Sequence, residues 1–225
     1  VRGLAVEVGL DEVVDHGGRA AGEGAGLEVH VEDLLPGERA RVAVEHKSPH
    51  RAEAWGRIVE RLGPPSPDRV APACAAWGRC GGCAWQHLAY PAQLAAKRRA
   101  VARALTGVDV EVAEVVPAPA ITGYRNKGKY VVGGRPGAVV LGGWAPRRHE
   151  LVNTAGCRVV APVIDELRGK LAAAVSAVGL MPYDERRRTG ALRYAIIRVA
   201  RDGQALRDRG HQILGGVRAH HQRQR

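Results

Sequence analysis

Short runs of alternating apolar and polar positions dominate the first 63 residues. Leu4-Ala5-Val6-Glu7-Val8, Gly26-Leu27-Glu28-Val29-His30-Val31, Arg39-Ala40-Arg41-Val42-Ala43-Val44 and Trp55-Gly56-Arg57-Ile58-Val59-Glu60 are β-branched and repeat with a period near two. That period predicts strands with one buried face. Gly17-Gly18, Gly22, Gly24 and Leu35-Pro36-Gly37-Glu38 read as turns between them. Beyond residue 63 the pattern changes. Ala92 to Leu105 is rich in strong helix formers and follows Pro91, which suits a first helical turn, so a helix is expected over 91–106. Leu94, Val101 and Leu105 would form its apolar stripe. Tyr124 to Val152 returns to strand patterning around a hairpin turn at Gly133-Gly134-Arg135-Pro136-Gly137. Ala161 to Val178 predicts a second helix ended by Gly179, and Leu192 to Val199 a further strand.

Several short strands in so little chain suit a small closed barrel of the OB type over residues 1–63. Gly63-Pro64-Pro65-Ser66-Pro67-Asp68-Arg69 reads as a stiff linker, placing a boundary at 64–73. Residues 74–206 mix strands and helices as an α+β domain. In residues 207–225, Arg, His and Gln make up 11 of 19 positions and no period survives, so this basic tail is expected to be disordered or out of frame.

Charge refines this division. The net charge of +11 is uneven: residues 1–63 carry −4, residues 64–157 carry +7 and residues 158–225 carry +8. A basic second half favours a polyanion partner, although charge alone does not separate RNA, DNA and anionic lipid. No apolar run approaches the roughly 20 residues that span a bilayer, and no signal-peptide pattern opens the chain. A cytoplasmic protein without a membrane partner is therefore the expectation.

The cysteines carry the most specific signal. Cys74, Cys80 and Cys83 lie within ten residues beside Gly81-Gly82, and Cys157 follows far downstream. Clustered thiols with flexible glycines suit metal ligation, and four thiolates satisfy either an iron–sulfur cluster or a structural zinc. Spacing leaves the metal open. His87 could replace one sulfur in a zinc site, but a lone histidine is more often a core or surface residue.

Cys74-Ala-Ala-Trp-Gly-Arg-Cys80-Gly81-Gly82-Cys83-Ala-Trp-Gln86-His87-Leu-Ala-Tyr90-Pro-Ala-Gln93-Leu94-Ala-Ala-Lys97 resembles the cluster segment of the class I uracil-C5 RNA methyltransferases, which make 5-methyluridine. Leu35-Pro36-Gly37-Glu38 and Pro65-Ser66-Pro67-Asp68-Arg69 resemble their TRAM domain, an OB-like RNA-binding barrel. Gly123-Tyr124-Arg125-Asn126-Lys127 and Thr189-Gly190-Ala191-Leu192-Arg193-Tyr194 resemble parts of their central domain. Cys157 falls where the ribosomal RNA branch has its fourth ligand. The resemblance implies a [4Fe-4S] cluster on Cys74, Cys80, Cys83 and Cys157 that organises the central domain, with ribosomal RNA favoured over tRNA as partner. Cations that would hold phosphate are Arg125, Lys127, Lys129, Arg147 and Arg148, with Tyr124, Trp144 and Tyr130 placed to stack on bases. Arg186-Arg187-Arg188 reads as solvated charge, and Trp77 and Trp85 as shields for a cluster.

The family reaction needs a cysteine thiolate to attack C6 of uracil, a base to remove the C5 proton, and S-adenosylmethionine as methyl donor. In the family those groups belong to a Rossmann-like domain. All four cysteines here are assigned to the cluster, and the resemblance stops near Leu206. The expectation is a mixed β and α+β chain, an OB-like barrel followed by an incomplete α+β domain, with the Rossmann-like methyltransferase domain absent and no catalytic or S-adenosylmethionine-binding residue. Such a chain would be inactive alone. The alternative is a stand-alone RNA-binding protein with a structural iron–sulfur or zinc site and no enzymatic activity.

Overall fold

The computed structural model describes residues 5–9, 20–24, 26–146 and 148–200, so the readings placed on Gly17-Gly18, Arg147 and the tail lie outside the described residues. The chain forms two compact units, Val1–Pro72 with Cys83–Ala118, and Ala73–Gly82 with Pro119–Arg225. Among the described residues no helix is long and apolar enough to cross a membrane.

The first unit is built on β1 (Ala5–Gly9), β2 (Ala20–Gly24), β3 (Leu27–Val31), β4 (Arg39–Lys47) and β5 (Glu53–Leu62). They form one sheet in the order β1-β4-β5-β3-β2. The β3–β5 pair is parallel and the others antiparallel, so the sheet is mixed. The edge strands β1 and β2 also come within 8 Å of each other. Alternation buries Val6, Val8, Val29, Val31, Val42 and Val44 on one face, as the period-two pattern predicts. Two register shifts in β4, at Arg41/Val42 and Val44/His46, bend it across β5. Gly56 permits that crossing, since a Cβ there would lie 2.4 Å from Val42 Cγ1. The reading of Gly22 and Gly24 as turn residues is corrected: they lie in β2, which pairs with β3 through its backbone.

Helix α1 (Tyr90–Ala104) completes this unit, with Pro91 in its first turn. The expected stripe of Leu94, Val101 and Leu105 is corrected at Val101, while Leu94 and Leu105 are half-buried. Ala96 is the buried residue of the helix and Val101 is 48% exposed. The small Ala96 side chain marks the contacting face, which a search for large apolar residues passes over.

The second unit holds β6 (Lys127–Arg135), β7 (Ala138–Trp144), β8 (Leu151–Asn153) and β9 (Tyr194–Arg198) in an antiparallel sheet of order β8-β7-β6-β9. The β6–β7 turn falls at Arg135–Ala138, where Gly134 and Gly137 take φ of 90° and 79°. Helix α2 (Pro162–Ala177) covers one face of the sheet, burying Ile164 and Val175 in a core with Tyr130, Val132, Leu141, Ala195 and Ile197. The opposite face carries Lys127, Lys129 and Val131 on β6, and Tyr194, Ile196 and Arg198 on β9.

Candidate nucleic-acid interface and cysteine segment

The cysteine segment of the second unit is a chain of tight turns. Trp77 N–H donates to the Cys74 carbonyl at 3.0 Å and Cys80 N–H to the Ala76 carbonyl at 2.8 Å, with Gly78 at φ 78°. Gly81 N–H then donates to the Trp144 carbonyl at 3.1 Å, fastening the loop to the end of β7. At Gly143 a Cβ would lie 3.6 Å from Cys80 Sγ and 3.7 Å from Thr154 Cγ2. Cys157 closes a turn onto the Thr154 carbonyl at 3.2 Å, and Gly156 N–H donates to Asp165 at 2.9 Å. Cys80 and the turn carrying Cys157 therefore flank the same glycine of β7. Cys83 opens the second stretch of the first unit.

All four cysteines are half-buried. Among the described residues no group of three or more His, Cys, Asp or Glu side chains is arranged to hold a metal ion. The chemistry of the donors nevertheless fits a thiolate-ligated group. Thr154, whose methyl group packs at the same glycine as Cys80, has a buried hydroxyl without a hydrogen-bond partner among the described residues. A buried O–H lacking an acceptor is costly unless something supplies one, and a thiolate or sulfide would.

The cations singled out in the sequence fall into separate places. Arg125 is exposed and its backbone bridges to Val160, donating to the Val159 carbonyl at 3.0 Å and accepting from Ala161 at 2.9 Å. Tyr124 beside it is 58% exposed. Lys127 and Lys129 stand on the open face of β6. Arg148 is exposed after β7, where Trp144 stacks on His149 with ring centroids 5.3 Å apart.

Tyr130 is a correction. It is 5% exposed, its ring lies over Gly128, and its hydroxyl is pushed up to about 12 by burial, then by Cys157 and Asp165. Lying on the α2 side of the sheet, it cannot stack on a base. The backbone N–H groups of Arg187 and Arg186 donate to Asp184, holding that carboxyl below its ordinary range.

Sequence reading missed a ladder of rings and cations at the edge of the second sheet. Lys129 Nζ lies 4.5 Å from the Tyr194 ring centroid, while the Arg193 guanidinium lies 5.3 Å from Tyr194 and 5.4 Å from Tyr183. Glu185 fixes Arg193 at 2.7 Å. The available signal was Lys127-Gly-Lys129 pairing in register with Ile196-Ile-Arg198.

In the first unit, the two turn motifs prove to be halves of one buried ion cluster. Glu38 accepts from Leu35 N–H and Ser66 N–H, each at 3.0 Å, from Arg61 at 3.0 Å, and from Arg69 at 2.5 and 2.6 Å. Arg69 also reaches Asp33 at 2.9 Å, and buried His87 lies 3.9 Å from the same carboxylate. Burial alone would raise the Glu38 pKa, but the hydrogen bonds from Arg69, Ser66 and Leu35 outweigh it and hold the carboxyl at about 2. Burial pushes His87 down to about 4, so it is neutral at pH 7. Segment 64–72 is thus fastened to the sheet through Ser66 and Arg69.

No family model matches the chain. An uncharacterized RNA methyltransferase of Thermosynechococcus vestitus is 36% identical over 211 residues, covering 91% of this chain and 45% of that protein. One from Nostoc sp. is 33% identical over 205 residues, covering 89% and 44%. The chain thus spans less than half the length of these curated relatives. Among solved structures, the Pyrococcus abyssi tRNA (uracil-54, C5)-methyltransferase in complex with S-adenosyl-L-homocysteine matches with TM-score 0.59 and 25% identity, over 85% of this chain and 42% of that one.

This match corrects the expected fold class. A mixed β and α+β chain defined by the absence of a Rossmann-like methyltransferase domain does not stand, because the described fold, mixed sheet included, superposes on a methyltransferase. The point where the sequence stops carries no information about a further domain. The expected inactivity rested on the same argument and falls with it. Along about nine-tenths of its own length the chain is similar to these uncharacterized RNA methyltransferases.

Proposed function

We propose that this chain recognises RNA for an S-adenosylmethionine-dependent uracil-C5 methyltransferase. The observation that carries the reading is the fold match to a tRNA uracil-C5 methyltransferase over 85% of the chain. Residues 1–63 would be the TRAM, OB-like barrel: the five-stranded mixed sheet with approaching edges supports this. Residues 74–206 would be the central domain, holding RNA through Tyr124, Arg125, Lys127, Lys129, Arg147 and Arg148. Ribosomal RNA is proposed over tRNA because the four-cysteine pattern resembles that branch; the matched solved structure is a tRNA enzyme, so the test includes both.

Cys74, Cys80, Cys83 and Cys157 would hold a [4Fe-4S] cluster. When bound, such a group supplies a rigid cross-link between loops distant in sequence. The chain's own part is to present thiolates from tight turns, with the buried Thr154 hydroxyl near Gly143 as a spare donor. Nothing in the fold or its relatives favours the stand-alone RNA-binding alternative.

Two measurements test the reading. Anaerobic purification should give about four irons and four sulfides per chain, with a broad visible absorption; zinc without colour would reject the cluster. Labelled uridine-containing hairpins from 23S ribosomal RNA and from tRNA should both be compared at several salt concentrations. Tighter binding of the ribosomal hairpin is expected; preference for the tRNA hairpin rejects the proposed branch, and failure to bind either rejects RNA recognition.

A further inference from the structure

We propose that the open face of β6 and β9 is a docking surface for single-stranded RNA, on which an unpaired base stacks against Tyr194 while Lys127 and Arg198 hold the adjoining phosphates. This rests on the RNA reading above and deepens it by naming the form of RNA and the residues that grip its bases.

Helix α2 occupies the other side of this sheet, where Tyr130, Val132, Ala195 and Ile197 are buried. The open side is fixed by register: Lys127 opposes Arg198, Lys129 opposes Ile196 and Val131 opposes Tyr194. Opposed side chains lie about 5 Å apart and successive same-face positions about 7 Å apart. The patch is thus a strip about 14 Å long, with cations at one end and a ring at the other. Neither strand contributes an Asp or Glu to it, since their sequences are KGKYVVGGR and YAIIR. A polyanion therefore meets no opposing charge from either strand, and Glu185 at the ladder is paired with Arg193.

The ladder at its end specifies single strands. Lys129, Tyr194, Arg193 and Tyr183 alternate as cation, ring, cation, ring at 4.5, 5.3 and 5.4 Å. Glu185 pins Arg193, so that guanidinium stays in place beside Tyr194. Among the described residues Lys129 has no such anchor: its ammonium sits over the ring on a flexible four-carbon stem. A nucleobase arriving over Tyr194 takes the position of that ammonium, which swings to the neighbouring phosphate. Every base offers a π-face for this exchange, whereas a duplex keeps its base faces stacked inside. An acidic peptide would satisfy the cations but leave the exchange at Tyr194 unused. Ile196, 38% exposed, adds an apolar contact in mid-strip.

The test uses the full chain with fluorescein-labelled oligouridine of about ten nucleotides, a duplex of equal length, and polyglutamate. Tyr194→Ala should weaken oligouridine binding roughly 10- to 100-fold, the range expected for losing one stacked base, while Tyr194→Phe stays within about threefold. Lys127→Gln with Arg198→Gln should lower the slope of log affinity against log salt by about 1.4, for two single-strand phosphates. Tyr194 is half-exposed, so circular dichroism of Tyr194→Ala should match the parent; a parent-like spectrum with parent-like affinity overturns the proposal. Equal competition by duplex or polyglutamate also overturns it. If the parent chain binds no RNA, the function proposed above fails too. If it binds RNA and neither variant changes that binding, only this surface is wrong.

Discussion

Substituting Glu38 by Gln tests whether the buried ion cluster holds the first unit together. The Glu38 side chain is 4% exposed and receives hydrogen bonds from Leu35, Ser66, Arg61 and Arg69. Gln has nearly the same shape but only one acceptor oxygen, and its amide group would point at guanidinium donors. Arg69, 21% exposed, would lose its nearest counter-charge. The carboxyl is lowered from 4.5 to about 2, and that difference corresponds to about 3 kcal/mol of stability at pH 7. A carboxylate depressed on folding stabilises above its unfolded pKa and loses that contribution as pH falls toward the folded value. By pH 3 about 2 kcal/mol of it should be gone. Glu38→Gln should therefore lie about 3 kcal/mol below the parent at pH 7 and about 1 kcal/mol below it at pH 3. Hydrogen exchange of peptides from β4 and β5, followed through urea titrations at both pH values, reads this unit separately from the other. A gap under about 0.5 kcal/mol at pH 7, or one unchanged at pH 3, would refute the argument.

His87 sets a second, higher acid window. Its pKa is lowered by burial from 6.5 to about 4, so its neutral form stabilises above 6.5 and that contribution is lost as pH falls to 4. His87→Leu should flatten first-unit stability across this window, as read by the same peptides. In the second unit, Arg168 is buried and bonded to Asp165 at 2.8 Å. Asp165→Asn should cost about 3 kcal/mol in urea unfolding of α2 and β7 peptides, and a cost under about 1 kcal/mol would show the pair to be dispensable. At Gly142 a Cβ would lie 2.0 Å from the Val152 carbonyl oxygen. Gly142→Ala should therefore speed exchange at Val152 and Asn153 at least tenfold, and unaltered protection there would show that β8 yields without cost.

Where alternation was clean the strands were readable. Val29, Val31, Val42 and Val44 announce their buried face by period alone, and Pro91 and Pro162 mark helix starts for a steric reason that needs no tertiary context. β2 was illegible because Ala-Ala-Gly-Glu-Gly has no strand propensity, and only pairing with β3 makes it extended. The ion cluster escaped for a different reason. Asp33, Glu38, Arg61, Arg69 and His87 come from distant turns and strand ends, so their convergence exists only after the sheet forms. The motifs around Glu38 and Arg69 carry a family likeness that is silent on their shared role. The cysteines stood out by spacing, yet spacing was silent on Thr154, whose buried hydroxyl appears only when β7 and the turn at Cys157 are in place.

The interleaving of the two units has a consequence for synthesis. The first unit takes residues from both sides of Ala73–Gly82, a stretch that belongs to the second. As the chain leaves the ribosome, β1 to β5 emerge with Glu38 still lacking the guanidinium of Arg69, and α1 follows only after the cysteine turns have appeared. The ion cluster that braces the first unit is therefore complete only after Arg69 and His87 have emerged, later than the strands whose core it borders. Its first unit matures only once the opening of its second has already been made.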